Sequence, residues 1–320
     1  MCTRPWWAWQ LLLAGFGLAL VLVGAIGSVS PPAAPRALGY LTRRVAIGRE
    51  VHRFRAAGWA ERLGIDDAQL NCLASRSEAQ DLEDVVLLPL LIHAAMHHGA
   101  TTFVELGAFD GKTFSNSYML EACFGWHGLL IEGNPANFAR AKANRPSPQN
   151  RVINMAVCNQ AGPGYVNFSA AASAMSGDES AMSESFKRQH HHSHRVREQV
   201  RVPCSPLSAM MADAGLRTGA AFLSLDVEGA EAKVLATVDA SVFEVVLVEL
   251  DGHDTEKDLM VHQRLIGAGL LPPFASMGRA PGDGAPTKFA VPRSGVYVNA
   301  RNGFMAEYVR AERAAHAHRG

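Results

Sequence analysis

The sequence has no surplus of charge of either sign. Its 320 residues carry 30 lysines and arginines against 30 aspartates and glutamates, so no global field attracts nucleic acid or an anionic surface. Hydrophobic residues make up 48% of the chain and charged residues 19%. This composition indicates a globular protein long enough to bury a large core, and we expect no nucleic-acid partner.

Cysteine is scarce and shows no metal-binding pattern. The five cysteines are Cys2, Cys72, Cys123, Cys158 and Cys204. They form no CxxC pair, and their odd number leaves at least one thiol unpaired unless it bonds to another chain. We therefore expect no disulfide framework.

Two common phosphate-binding motifs are missing as well. The chain has no GxxxxGK[ST] cradle. The stretch FVELGAFDG, residues 103–111, has glycine only at Gly107 and Gly111, whereas a dinucleotide fingerprint requires GxGxxG. This argues against a nicotinamide oxidoreductase, which stays an alternative.

The amino terminus carries an apolar run that is uncharged over residues 6–30. It is long enough to span a bilayer, and Trp6, Trp7 and Trp9 suit a membrane interface. We predict a single-pass membrane anchor over residues 1–30, with a cleavable signal peptide as the alternative. Arginines are more numerous after the run than before it, which favours a cytosolic domain, but most lie far from its end. The side of the membrane therefore stays open, and in a eukaryote we expect the Golgi or the endoplasmic reticulum.

The remaining chain divides by composition and periodicity. The stretch SVSPPAAPRALG contains the prolines and glycine of a linker, which we place over residues 31–44. Helical spacing that closes on Gly99 predicts a helical extension over residues 45–100. An α/β domain then occupies residues 101–305, and residues 306–320 form a C-terminal tail.

Short apolar runs rich in β-forming residues recur after residue 100. They are TTFVEL, GLLIEG, RVINMAV, AAFLSLDV and FEVVLVEL, and most of the intervals between them have helical spacing. Strands that alternate with helices predict βαβ units and a buried parallel sheet. We therefore predict a doubly wound, Rossmann-like α/β fold, completed by KFAVP and GVYVN as final strands.

In such a sheet the ligand lies beyond the carboxyl ends of the strands, near the point where strand order reverses. The first strand ends at Glu105, and Gly107 begins a turn that lets the backbone approach a ligand. An acid there repels a pyrophosphate but attracts an amino group. The second strand ends at Glu132, which can accept both hydroxyls of a ribose. An amino acid joined to a nucleoside without phosphate satisfies both acids, and S-adenosylmethionine is such a molecule.

The motifs around these strands resemble the FkbM family of S-adenosylmethionine-dependent methyltransferases. The similarity rests on FVELGAFDGKTF, LLIEGNPANF, AVC, FLSLDVEGAEAKVL and VVLVEL, and it extends over roughly residues 75–252. The upstream SEAQDL is similar to a polar motif of eukaryotic-type members. The resemblance implies that the methionine end of the cofactor meets Glu105, Gly107, Asp110 and Gly111, that Glu132 binds the ribose, and that Asn154 and Ala156 flank the adenine.

A hydroxyl acceptor has to lose its proton, and Asp226 in SLDVEGAE is the best candidate for the base, beside the cofactor. Glu228 either shares that role or interacts with the start of the next helix. His253 is a second candidate base because imidazole titrates near neutrality, unless it is an ordinary loop histidine. Asp226, Asp251 and His253 suggest a divalent-metal site, but the ligand set is incomplete, so we predict no metal.

The interval between AVC and the fourth strand reads as an irregular insertion. SAAASAMSGDESAMSESF is small and serine-rich and predicts a flexible loop. The basic KRQHHHSHRVREQVR is either a lid that attracts an acidic acceptor or a solvated surface loop. Its clustered histidines have no settled metal geometry.

We therefore expect a membrane-attached methyltransferase that acts on oxygen, with a glycan or another small hydroxyl-bearing molecule as the acceptor. The alternatives are a catalytically silent, membrane-tethered module that binds the cofactor and the nicotinamide oxidoreductase mentioned above.

Overall fold

The structure is a computed structural model that describes residues 34–56, 58–160, 164–169, 173–178, 180–182, 199–250, 254–272, 293–301 and 303. The expected membrane anchor, the histidine-rich segment, the strand KFAVP, Asp251 and His253 lie outside these residues. Within them, no helix is both long and apolar enough to cross a membrane.

Helices precede the sheet, as the periodicity indicated. They are α1 (Ala34–Ala56), α2 (Trp59–Arg62), α3 (Asp67–Arg76), α4 (Glu83–Val86) and α5 (Leu88–His98). Gly99 ends α5 in the left-handed conformation. The expected linker over residues 31–44 is instead helical from Ala34 onwards. Pro35 is compatible with this because the first turn of a helix does not use its backbone N–H groups. Residues 1–46 and 47–320 form separate units.

A seven-stranded sheet forms the centre of the second unit, in the order β3-β2-β1-β7-β8-β10-β9. Its strands are β1 (Thr102–Leu106), β2 (His127–Ile131), β3 (Arg151–Ile153), β7 (Ala220–Leu225), β8 (Phe243–Glu249), β9 (Leu270–Leu271) and β10 (Ser294–Asn299). The first five pair in parallel, and β10 pairs antiparallel to β8 and β9. Strand order reverses between β1 and β7, which places the predicted ligand site there.

Helices cover both faces of this sheet, so the predicted doubly wound α/β architecture is confirmed. Residues of β1 alternate between the faces: Phe103 packs with α5 and the other N-terminal helices, and Val104 packs in the opposite core. The remaining helices are α6 (Tyr118–Phe124), α7 (Pro135–Asn144), α8 (Leu207–Asp213), α9 (Glu231–Leu235) and α10 (Thr255–Gly267).

A second, three-stranded sheet corrects the interpretation of the insertion. It has the order β4-β6-β5 and comprises β4 (Ala156–Val157), β5 (Gly164–Ser169) and β6 (Gln199–Ser205). The predicted strand RVINMAV is divided between the two sheets. Asn154 donates through Nδ2 to the carbonyls of Glu132 and Gly133, at 2.8 and 2.7 Å. These bonds hold the chain against the turn after β2, so it leaves the large sheet after β3. The next strand, β4, pairs with β6 instead.

Two disulfides correct the expectation that the cysteines form no framework. Cys72 on α3 bonds to Cys123 on α6, with the Cα atoms 5.6 Å apart. Cys158 bonds to Cys204 on β6, with the Cα atoms 5.5 Å apart. The partners are 51 and 46 residues apart in the chain. Neither the spacing of the five cysteines in the sequence nor their odd number indicated these pairs. The partners meet only because separate elements pack against each other.

The Cys72–Cys123 disulfide should contribute measurably to stability. It closes a loop of 51 residues, and constraining the unfolded chain in this way contributes roughly 2–4 kcal/mol. We expect Cys72→Ser to lower the free energy of unfolding by that amount in denaturant titrations. Cys2→Ser, which removes neither disulfide, is the control. Free thiols at Cys72 and Cys123 in a peptide map under non-reducing conditions would contradict this prediction.

Candidate active site

Gly107 and Asp226 lie at the carboxyl edge of the sheet, where the chains leaving β1 and β7 run side by side. Gly107 has φ of 75°, and a Cβ atom there would lie 1.7 Å from the carbonyl oxygen of Asp226. Its backbone N–H donates to the Ile131 carbonyl at 3.1 Å. Glycine is therefore required at this position by contact between two backbones, in addition to any contact with a ligand.

The following turn is closed by Asp110. Its Oδ1 accepts from the backbone N–H groups of Lys112 and Thr113, at 2.9 and 2.7 Å. Gly111 has φ of 77°, and a Cβ atom there would lie 3.0 Å from Cα of Ala141 on α7. In the structure, Asp110 and Gly111 thus shape the loop and pack it against α7.

Glu105 is buried at the end of β1 and holds the next part of the loop. One carboxylate oxygen accepts from Ser115 Oγ at 2.9 Å, and the other accepts from the Asn116 backbone N–H at 2.8 Å. Ser117 Oγ also donates to Glu105, and the buried Arg145 guanidinium lies 3.8 Å away. Arg145 was not predicted as part of the site, because nothing in the sequence distinguishes it from a surface arginine at the end of a helix.

Glu132 lies in a cleft at the strand ends, which we call the strand-end cleft. Its lining includes Leu106, Gly107, Ile131, Glu132, Gly133, Met155, Ala156, Val157, Phe168, Ser176, Asp178, Asp226 and Glu228. The Glu132 carboxylate accepts from the backbone N–H groups of Phe109 and Asn134, at 2.8 and 2.7 Å. The Asn137 side chain also hydrogen-bonds to the Glu132 carboxylate. A carboxylate has about four acceptor positions, so capacity for a hydroxyl donor remains. Burial raises the pKa of Glu132 to about 7.

The other wall of the strand-end cleft is apolar. Met155 and the buried Ala156 lie on it, and Phe168 reaches it from β5. Phe168 packs closely on Gly133, where a Cβ atom would lie 2.4 Å from the ring. Phe168 was not predicted as part of the site, because its strand lies in the stretch that we expected to be an irregular insertion. Asn154 supports this wall through its two bonds to the preceding turn.

Asp226 belongs to a group of three carboxylates. Oxygens of Asp226, Glu231 and Glu249 all lie within 4.8 Å of one another. Burial, together with the adjacent Asp226 carboxylate, raises the pKa of Glu249 well above its ordinary value. The raised pKa favours a proton shared between the Glu249 and Asp226 carboxylates, which then hydrogen-bond to each other. Carboxylate oxygens suit a divalent cation, but three acids alone do not identify a cation site.

The loop after Asp226 is closed by Glu231 rather than by Glu228. Glu231 accepts through Oε1 from the backbone N–H groups of Val227 and Gly229, both at 3.1 Å, and burial raises its pKa to about 7. Glu228 has φ of 57° and lines the strand-end cleft. The structure thus assigns the loop-closing role to Glu231.

Comparison with protein families gives one finding, and it covers this site. The family model described as "Methyltransferase FkbM domain" matches residues 105–267. The matched span begins at Glu105 and includes Glu132, Asp226 and Glu249. Searches of curated proteins and of solved structures gave no match.

Proposed function

The chain belongs to the FkbM methyltransferase family, and we propose that it transfers a methyl group from S-adenosylmethionine to a hydroxyl oxygen, with a glycan or another hydroxyl-bearing molecule as the acceptor. The observation that carries this proposal is Glu132. It is a buried carboxylate with remaining acceptor capacity, at the end of the second strand and beside an apolar wall. That arrangement suits a ribose diol next to an adenine.

The charges around the strand-end cleft support this ligand over a dinucleotide. The charged side chains among the described residues that line the cleft are Glu132, Asp178, Asp226 and Glu228, all acidic, and of these Asp178 is paired with Lys233 at 2.9 Å. Acidic walls repel a pyrophosphate and attract a cation. S-adenosylmethionine carries a sulfonium and an ammonium, and when bound it supplies an electrophilic methyl group.

The chain's own residues have separable tasks in this proposal. Glu132 would bind the ribose hydroxyls, and Met155, Ala156 and Phe168 would enclose the adenine. Glu105 holds the loop 115–117 in place. A carboxylate oxygen of Asp226 would take the acceptor's hydroxyl proton, and Glu249, which hydrogen-bonds to Asp226, would orient it. Positioning the acceptor and excluding water contribute the rest of the rate.

Glu132→Gln tests the ribose assignment. We expect the affinity for S-adenosylhomocysteine, measured by calorimetry, to fall roughly 5- to 150-fold, because charge-assisted hydrogen bonds contribute about 1–3 kcal/mol. Hydroxyl donors bind the ionised carboxylate better than the neutral acid. Since the pKa of Glu132 is raised to about 7, the wild-type affinity should be full above that pH and should weaken as the pH falls through it. The variant should lose most of this dependence.

Glu244→Gln is the matched control, since Glu244 is a buried glutamate on β8 that is not among the residues of the strand-end cleft. It should retain the wild-type affinity. Equal affinities in wild type and Glu132→Gln at pH 8 would remove Glu132 from the ribose site.

Two other functions predict different binding results. A nicotinamide oxidoreductase would bind NAD, whereas our proposal expects binding of S-adenosylhomocysteine only. A silent binding module would bind S-adenosylhomocysteine but transfer no label. Incorporation of labelled methyl groups from the donor into fractionated cell extract distinguishes this module from an enzyme, and the labelled fraction identifies the acceptor.

For location, we propose a membrane-attached protein whose catalytic domain faces an oxidising compartment, such as the lumen of the endoplasmic reticulum or Golgi in a eukaryote. The apolar run over residues 6–30 supports the attachment. The two disulfides support the oxidising side, because disulfides are rare in cytosolic proteins. They outweigh the arginine distribution, which favours the cytosolic side.

A further inference from the structure

A second pocket shares Asp226 with the strand-end cleft. We call it the Phe114 pocket, and its lining includes Asp81, Glu83, Phe114, Asn116, Asp226, Glu249 and Arg293. Asp81 belongs to the SEAQDL segment, and Glu83 follows that segment. Asp226 follows β7, and Glu249 is the last residue of β8. A molecule in this pocket therefore lies next to the proposed base, because Asp226 lines both pockets.

The SEAQDL segment is fixed in place by hydrogen bonds. Asp84 accepts from Ser77 Oγ at 2.9 Å and from the Glu78 backbone N–H at 3.2 Å. The Phe114 backbone N–H donates to the Glu78 carbonyl at 3.1 Å. The Asp81 carboxylate accepts from the Arg293 guanidinium at 3.1 Å. The pocket wall is thus built before a ligand arrives, and the pair of Asp81 and Arg293 presents both donors and acceptors without net charge.

Phe114 is unusual in both exposure and backbone conformation. Phe114 is 46% exposed, and its backbone is in the left-handed region, with φ of 65°. Bulky residues rarely adopt this region, and such strain concentrates at ligand sites. An exposed aromatic ring at a pocket otherwise lined by polar groups provides a surface on which an apolar face can stack.

Asn116 provides a second, independent sign of a ligand. Its Nδ2 donates to Ser224 Oγ at 3.0 Å and its backbone N–H donates to Glu105. Oδ1 of Asn116 is buried and has no hydrogen-bond partner among the described residues. An unsatisfied buried acceptor costs about 1–3 kcal/mol, and Asn116 is among the residues that line the Phe114 pocket.

We propose that the Phe114 pocket binds the acceptor and that the acceptor is a neutral sugar ring. One face of the ring would stack on Phe114, one hydroxyl would donate to Asn116 Oδ1, and the hydroxyl to be methylated would meet Asp226. A sugar has both the apolar face and the dense hydroxyls that these groups require. This inference rests on the proposed function, and it adds the acceptor's position and chemical class.

Ligand-observed saturation-transfer NMR on the full chain tests the inference without requiring turnover. The protein is saturated with S-adenosylhomocysteine in a detergent that has no sugar headgroup. The probes are the methyl glycosides of glucose, galactose, mannose, xylose and N-acetylglucosamine, with ethanolamine as a cationic probe. We expect at least one glycoside to receive saturation and ethanolamine to receive none.

Variants then locate the binding. Phe114→Ala should weaken glycoside binding roughly tenfold or more, whereas Phe114→Tyr, which keeps the ring, should retain it. Tyr165→Ala is the control, because Tyr165 on β5 is an exposed aromatic residue, at 54%, that is not among the residues of either pocket. Calorimetry with S-adenosylhomocysteine should give wild-type affinity in all three variants, which also shows that they are folded.

Three results would overturn the inference while leaving the proposed function intact. They are equal glycoside binding in wild type and Phe114→Ala, binding of ethanolamine alone, and no binding of any probe to wild-type protein saturated with S-adenosylhomocysteine. Failure of the wild-type protein to bind S-adenosylhomocysteine would instead overturn the proposed function itself, and this inference with it.

Discussion

Gly107→Ala is expected to abolish methyl transfer and to destabilise the domain. The added Cβ atom would lie 1.7 Å from the carbonyl oxygen of Asp226, so the chain after β1 or the chain after β7 has to move. Overpacking of this kind costs about 1–3 kcal/mol, and the left-handed backbone adds about 1–2 kcal/mol for a residue with a Cβ atom. The displaced groups include the proposed base. We therefore expect a larger loss of turnover than the unfolding of part of the protein would explain.

Gly125→Ala separates the two causes. Gly125 has the same left-handed backbone, with φ of 68°, but among the described residues no atom beyond its chain neighbours lies within 4 Å of where an added Cβ atom would be. It should lose only the conformational contribution of about 1–2 kcal/mol and keep its turnover. Thermal unfolding and methyl-transfer assays on both variants provide the comparison. If Gly107→Ala were as mild as Gly125→Ala, the close approach of the two backbones would be wrong.

Asp226→Asn should lower turnover roughly 100-fold or more, the usual contribution of a general base. The amide keeps the shape of the side chain and much of its hydrogen bonding, but it cannot accept the hydroxyl proton. The affinity for S-adenosylhomocysteine should change much less, because Glu132 and the apolar wall are unaltered. Turnover numbers with saturating acceptor, together with calorimetry, measure the two effects separately.

His253→Gln is the comparison variant for this experiment, because His253 is the other candidate base from the sequence. Whichever substitution removes the dependence of turnover on pH near neutrality identifies the proton acceptor, provided that methyl transfer limits the rate. Turnover near the wild-type level in both variants would assign neither residue as the base. Catalysis would then depend on positioning alone.

Patterns of residues along the chain were enough to predict the α/β architecture and to place the predicted ligand site at the carboxyl edge of the sheet. Apolar runs with β-forming residues identified the strands, and Gly99 marked the end of α5, because these signals act over a few residues. The acids at the end of β1 and after β2 and β7 predicted a ligand site at this edge for the same reason, since parallel strands bring their carboxyl ends to one edge. The acidic lining of the strand-end cleft is consistent with that reasoning.

Contacts between groups that are far apart in the chain became visible only in the folded protein. The structure paired cysteines 51 and 46 residues apart, placed Arg145 beside Glu105 and brought Phe168 from the small sheet to the strand-end cleft. It also showed that Gly107 is required by the close approach of the chain after β7, in addition to the predicted approach of a ligand. Each of these contacts depends on how separate elements pack, and no local pattern of residue types encodes that packing.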